Sequence, residues 1–141
     1  MTTRADIVTE AKTWVGTPWR HIGRNRQGID CAGLVVVVAK ALGVADYDHT
    51  EYTRKAVDHS IIEHFEKNMR RKSVLECKVG DVLLFRDTKF PFHVGMLGER
   101  YGALSLIHAY AERRKVVEEQ YTGEWPTRAL ACFEFYGLED A

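Results

Sequence analysis

No stretch of this 141-residue chain approaches the roughly 18 apolar residues that a membrane-spanning helix needs. Glu10, Lys12, Arg20 and Lys40 interrupt the best candidates, so no membrane span is expected. Surplus charge is also lacking. Twenty Lys and Arg balance twenty Asp and Glu, and a formal net charge of zero gives no reason to expect a nucleic acid partner. The opening Met1-Thr2-Thr3-Arg4-Ala5-Asp6 lacks the basic start, apolar stretch and small-residue cleavage site of a signal peptide. Cytoplasmic synthesis is the expectation, with action elsewhere after release by another route. Cysteine is scarce: Cys31, Cys77 and Cys132 are odd in number and far apart in sequence, which argues against a disulfide framework. Without a Cys-x-x-Cys pair there is no zinc or redox motif of that kind. Repeats, low-complexity tracts and linkers are missing too. The length suits one domain over 1–141, with a real core.

What is present reads as helices first and strands after. Ile7, Val8, Ala11, Trp14 and Val15 form a helical stripe over residues 4–15, capped by Thr3 with Asp6 as an imperfect capping box and ended by Gly16 and Pro18. Residues 17–29 read as a polar, glycine-containing loop. The valine-rich run Leu34–Val38 suits a strand by intrinsic preference. Yet Cys31 to Leu42 makes about three helical turns before Gly43, and a buried helix fits better. Val57, Ile61, Phe65 and Met69 predict an amphipathic helix over about 55–71. After the turn Val79-Gly80-Asp81, strands are expected at 81–85, 92–97, 103–110, 114–118 and 129–136. The fold class is α+β, N-terminal helices packed on a C-terminal antiparallel sheet.

Chemistry centres on Cys31. Asp30 can cap the helix, leaving the thiol in the first turn, where unpaired N–H groups and the helix dipole favour a thiolate. Ala32 and Gly33 would keep the sulfur open to substrate, and nearby backbone N–H groups could face an oxyanion. The plainer reading is a buried, inert thiol. His93 and His108 lie in apolar strands and need partners for their ring nitrogens, which a core role would also satisfy. If the hairpin midpoint lies between Arg100 and Tyr101, residues 93 and 108 pair directly on one face. His93 would then serve as general base to Cys31, with His108 fixing its ring. A neutral histidine supplies less electrostatic help to an imidazolium than a carboxylate would. The same groups make a conceivable zinc set, but no short ligand spacing supports it, and neither metal nor cofactor is expected. Arg20, Arg24 and Arg26 form a local positive cluster suited to a substrate carboxylate. Glu112, Glu118 and Glu119 read only as acids offsetting Arg113-Arg114-Lys115.

Three blocks in order carry a resemblance. Gly16-Thr17-Pro18-Trp19 with Gly28-Ile29-Asp30-Cys31-Ala32-Gly33 is the first, Gly80-Asp81-Val82-Leu83-Leu84-Phe85 leading to His93-Val94-Gly95-Met96 the second, and Leu106-Ile107-His108-Ala109 the third. Together, over about residues 5–135, they resemble the NlpC/P60 cell-wall cysteine peptidases, closest in flavour to compact phage- and prophage-associated members. The resemblance implies a papain-like fold with Cys31 as nucleophile, His93 as base and His108 as orienting residue. It also implies hydrolysis of an amide in the peptidoglycan stem peptide, usually D-γ-glutamyl to a diamino acid. Trp19, Arg20, Arg24 and Asp30 are the expected substrate-binding residues. Many members carry a tyrosine where this chain has Trp19, whose indole donates but cannot accept a hydrogen bond. Alternatives are acyl transfer at the same thiol, or a catalytically silent phage-tail assembly component. Phage-tail or prophage partners would carry the domain to the wall.

Overall fold

Thr3 begins the first helix by a full capping box: its hydroxyl accepts from the Asp6 N–H, and the Asp6 carboxylate accepts from the Thr3 N–H at 2.9 Å. Asp6 therefore completes the motif that its shorter side chain left imperfect on paper. Helix α1 covers Arg4–Lys12 and stops short of the expected residue 15. A turn follows, and Gly16, at φ +94°, donates to the Val116 carbonyl instead of continuing the helix. The structure, a computed structural model, describes residues 1–52, 59–87 and 92–141.

The expected loop 17–29 contains a short antiparallel pair, β1 (Arg24–Asn25) and β2 (Gly28–Ile29). The glycines permit it, since a Cβ on Gly23 would strike the Gly28 backbone. Helix α2 (Cys31–Ala41) is buried nearly all round, as its unbroken apolar pattern requires, and Gly43 follows at φ +69°. Helix α3 spans His59–Asn68, shorter than the expected 55–71, of which residues 55–58 lie outside the described residues. Its far end is the strand β3 (Arg70–Lys72), because Arg70, Arg71 and Lys72 pair with Glu134, Phe133 and Cys132.

Strands β4 (Val82–Phe85), β5 (His93–Arg100), β6 (Ala103–Tyr110) and β7 (Lys115–Gln120) follow. A short helix α4 (Glu124–Arg128) and strand β8 (Ala129–Glu134) are the last regular elements among the described residues. The six-stranded sheet runs β3-β8-β4-β5-β6-β7, with antiparallel pairing throughout. This is the expected α+β arrangement. Both faces are covered. Val82, Leu84, Val94, Met96 and Ile107 meet Ile7, Leu34, Val35 and Phe65 on one side. Leu83, Phe85, Leu97 and Leu106 meet Trp125 on the other. That double burial explains why β4 reads as a continuous apolar run. Among the described residues no helix is long and apolar enough to cross a membrane.

A buried ion cluster ties α1 to the sheet. Arg4 pairs with Asp81 at 2.7 Å and with Glu134, and Lys72 reaches the same two carboxylates at 2.7 and 2.9 Å. Asp81, expected as a simple turn residue, is fully buried at the centre of this cluster.

Candidate active site

Asp30 assembles the surroundings of Cys31. As N-cap of α2 it accepts from the Gly33 N–H at 2.8 Å, while its second oxygen accepts from the Ile22 N–H at 2.8 Å and from the Tyr52 hydroxyl. Arg24 adds a 3.0 Å contact to the same carboxylate. All of these are internal contacts, and Asp30 is only 3% exposed. Arg24 is equally committed. Its Nε faces Asp48, one terminal nitrogen serves Gly23 and Asp30, and the other serves the His49 carbonyl and Tyr52. The five donors of its guanidinium are thereby spent on holding the loop. Arg26 stacks on Trp14, 3.6 Å from the ring centre, and donates to the Thr13 carbonyl. A pocket of about 410 Å³ is lined by Arg20, His21, Ile22 and Arg24, and of its two arginines Arg20 is the exposed one while Arg24 is half-buried. Trp19 is half-buried and bridges to Ile29, two residues before Cys31.

Gly33 does not open the site to substrate, as its small size suggested. A Cβ there would meet the Gly23 carbonyl and come within 2.7 Å of the Arg24 guanidinium, so glycine is required for the loop to pack on the helix. Cys31 is likewise enclosed, at 6% exposure. Burial pushes its thiol pKa up to about 12, the Asp30 charge adds to this, and backbone N–H groups of Val94 and Ala32 only partly offset it. The expected effect of the helix N-terminus is present and outweighed, so the resting group is a thiol. The Val94 contact sets the sulfur beside the residue that directly follows His93.

The two histidines meet, though not by direct pairing. The ladder runs from Met96↔Ile107 to Arg100↔Ala103, leaving Tyr101 and Gly102, at φ +55° and +77°, as a two-residue turn. The midpoint thus falls one residue later than expected, and continuing the register sets His108 opposite Gly95. A two-residue offset keeps both rings on one face. As diagonal neighbours they make a 2.7 Å contact between His93 Nε2 and His108 Nδ1. Gly95 gives His108 its space, since a Cβ there would come within 3.1 Å of the His108 Cβ. His93 is 4% exposed and His108 fully buried. Burial, and then the neighbouring His108, hold the His93 pKa well below its usual value. Burial also lowers that of His108, against the opposing pull of Glu119.

Glu119 was not singled out in the sequence. Its Oε2 lies 2.8 Å from His108 Nε2, and its Oε1 accepts from Trp125 Nε1 at 3.2 Å. On β7, His108 pairs with Val117, so Glu119 shares the His108 face two residues on. Strand periodicity was visible in the sequence; register was not. The potential metal ligands that converge among the described residues lie elsewhere, at Cys77, Asp81 and Cys132.

Comparison with known proteins matches residues 16–134 to the NlpC/P60 family. The chain belongs to this family. Its fold is similar to the crystal structure of the NlpC/p60 domain of peptidoglycan hydrolase SagA, with a TM-score of 0.67 and 21% identity over 95% of this chain and all of that one. An NlpC/P60 family protein from Bacillus cereus ATCC 10987 gives a TM-score of 0.68 at 19% identity, covering 94% of this chain and 40% of that one. In sequence, 40 residues are 40% identical to "Probable endopeptidase NlpC" of Escherichia coli (strain K12). That stretch is 28% of this chain and 26% of the Escherichia coli protein. In this NlpC/P60 chain the three blocks that carried the resemblance fall after α1 and over β2 and the start of α2, over β4 and the start of β5, and within β6.

Proposed function

We propose that this NlpC/P60 domain is a cysteine peptidase that hydrolyses an amide bond in the peptidoglycan stem peptide, the D-γ-glutamyl bond to a diamino acid. The observation carrying this is the buried His93–His108 pair, at 2.7 Å, beside a cysteine whose sulfur takes the Val94 N–H. Cys31 is the nucleophile. His93 takes its proton as the sulfur attacks the carbonyl and returns it to the leaving amine, and water then cleaves the thioester. Because thiol and imidazole are both neutral at rest, proton transfer accompanies attack and no ion pair waits in advance. Trp19 borders the nucleophile, while Asp30 and Arg24 support it from inside. Arg20, exposed on the loop pocket, takes a carboxylate of the substrate. A phage-tail or prophage assembly is the proposed carrier to the wall after synthesis in the cytoplasm.

The test is mass spectrometry of defined muropeptides incubated with the wild type and with Cys31→Ala. Cleavage between D-γ-glutamate and the diamino acid, lost in the variant, is expected. Intact muropeptides with both proteins would refute the reading. Arg20→Ala should raise KM and leave kcat nearly unchanged.

A further inference from the structure

We propose that Glu119, acting through His108, fixes the proton positions of the histidine pair so that His93 keeps an unprotonated Nδ1 for the Cys31 proton. This rests on the hydrolase reading above for its consequence, although not for its geometry. A carboxylate can only accept, so His108 Nε2, 2.8 Å from Glu119 Oε2, carries a hydrogen. Neutral His108 then has a bare Nδ1, which must accept across the 2.7 Å contact. His93 Nε2 is therefore the donor, and the lone pair of His93 is left on Nδ1. One carboxylate thus sets two tautomers in series.

Trp125 holds Glu119 to this task. Its indole N–H donates to Oε1, so both carboxylate oxygens receive a donor, and its ring packs 5.0 Å from His108 and 5.7 Å from His93. Tyr110 stacks on His108 from β6. The other charges facing His108 are Asp87, which adds attraction, and Arg113, which opposes it. Glu119 is a positioning residue by this account. It supplies, one ring further out, the negative charge that a Cys-His-His set lacks when His93 becomes an imidazolium.

Nitrogen-15 NMR of the histidine rings tests the tautomers without any substrate. At neutral to mildly basic pH, His93 and His108 should both carry hydrogen on Nε2, and Glu119→Ala should give His108 a mixture of tautomers. A wild-type His108 protonated on Nδ1, or a tautomer unmoved by the substitution, would overturn the proposal. On muropeptide, Glu119→Gln should lower kcat by about 10-fold or more with little change in KM. It should also move the acid limb of kcat/KM to lower pH, and Glu119→Asp should restore part of the loss. An unmoved limb and an unchanged kcat would count against Glu119. Wild-type inactivity with the expected tautomers intact would instead remove the hydrolase reading alone.

A separate observation carries a second proposal. We infer that Cys77 and Cys132 form a cystine when the protein meets an oxidising disulfide. Their sulfurs lie 2.8 Å apart, joining the end of the 3-10 turn Val74–Glu76 to β8. Cys77 is half-buried, which admits a reagent, and Cys132 is fully buried. A metal is the weaker occupant of this place: Asp81 already accepts from Arg4, Lys72 and the Lys78 N–H. The Cys77 thiolate attacks a small-molecule disulfide and expels one thiolate; the Cys132 thiolate attacks the Cys77 sulfur of the mixed disulfide and expels the second, and the two protons given up by the cysteines end on the departing sulfurs as two free thiols. After treatment with oxidised glutathione, peptide mapping without reductant should find a Cys77–Cys132 cross-link and free Cys31, in wild type and in Cys31→Ala. A lasting glutathione adduct on Cys77, or free thiols at both positions, would overturn it.

Discussion

Glu134→Gln offers a quantitative test of the cluster that anchors α1 to the sheet. Burial by itself would raise the Glu134 pKa. Hydrogen bonds from Lys72 and Arg70, with the charges of Lys72 and Arg4, overcome this and bring it from 4.5 to about 2. A carboxylate held this low contributes stability that is fully present above its unfolded pKa and is lost as pH falls through the folded one. The depression corresponds to about 3 kcal/mol at pH 7, of which about half remains at pH 3. Arg70 is more than half exposed, and water screens its share. The expected loss for Glu134→Gln at pH 7 is therefore about 2 to 3 kcal/mol. Urea denaturation followed by tryptophan fluorescence, at pH 7 and pH 3, would measure it. The gap between wild type and variant should shrink by about half at the lower pH. Equal stabilities at pH 7, or a gap that does not shrink, would refute the reasoning.

Other outcomes follow from the site. His93 and His108 are buried with lowered pKa values, so the unfolded chain takes up protons below about pH 6.5 that the native one refuses. Stability should fall as pH drops below that point, by up to about 1.4 kcal/mol per pH unit for each ring, a slope that His93→Gln should reduce in urea titrations. In an ordinary helix Gly33→Ala would stabilise by about 1 kcal/mol. Here the clash with Gly23 and Arg24 should win, with a net loss of about 1 to 2 kcal/mol in denaturant unfolding. With its pKa pushed up to about 12, Cys31 in the substrate-free protein should react slowly with iodoacetamide at pH 7. Its rate should climb about tenfold per pH unit to pH 9, and a plateau reached near pH 7 would contradict the enclosed thiol.

Much of the fold was legible in advance because hydrophobic period is a local property. The apolar run after Asp30 made α2, and β6 appeared at its observed limits, while β5 runs on to Arg100, three residues past its expected end. Boundaries failed where a distant partner decided them. Residues 70 and 71 lie within the expected helix yet pair, with Lys72, on β8, and the Gly16 N–H goes to Val116 across the fold. In the site, His93 and His108 were visible as polar residues in apolar strands. Glu119 was not, because a glutamate near the end of an amphipathic strand looks solvated until its neighbour across the ladder is known.

The order of residue types along the chain determined the helices, the strands and the block pattern of the NlpC/P60 family, since each depends on neighbours a few positions away. Tertiary structure alone decided the protonation of the site. Whether Cys31 rests as a thiol, which nitrogen of His93 is bare, and whether Arg24 is spent or available depend on burial and on partners up to 63 residues apart, as Cys31 and Val94 are. Coulombic and desolvation energies are set by distance in space, and sequence separation does not encode that distance.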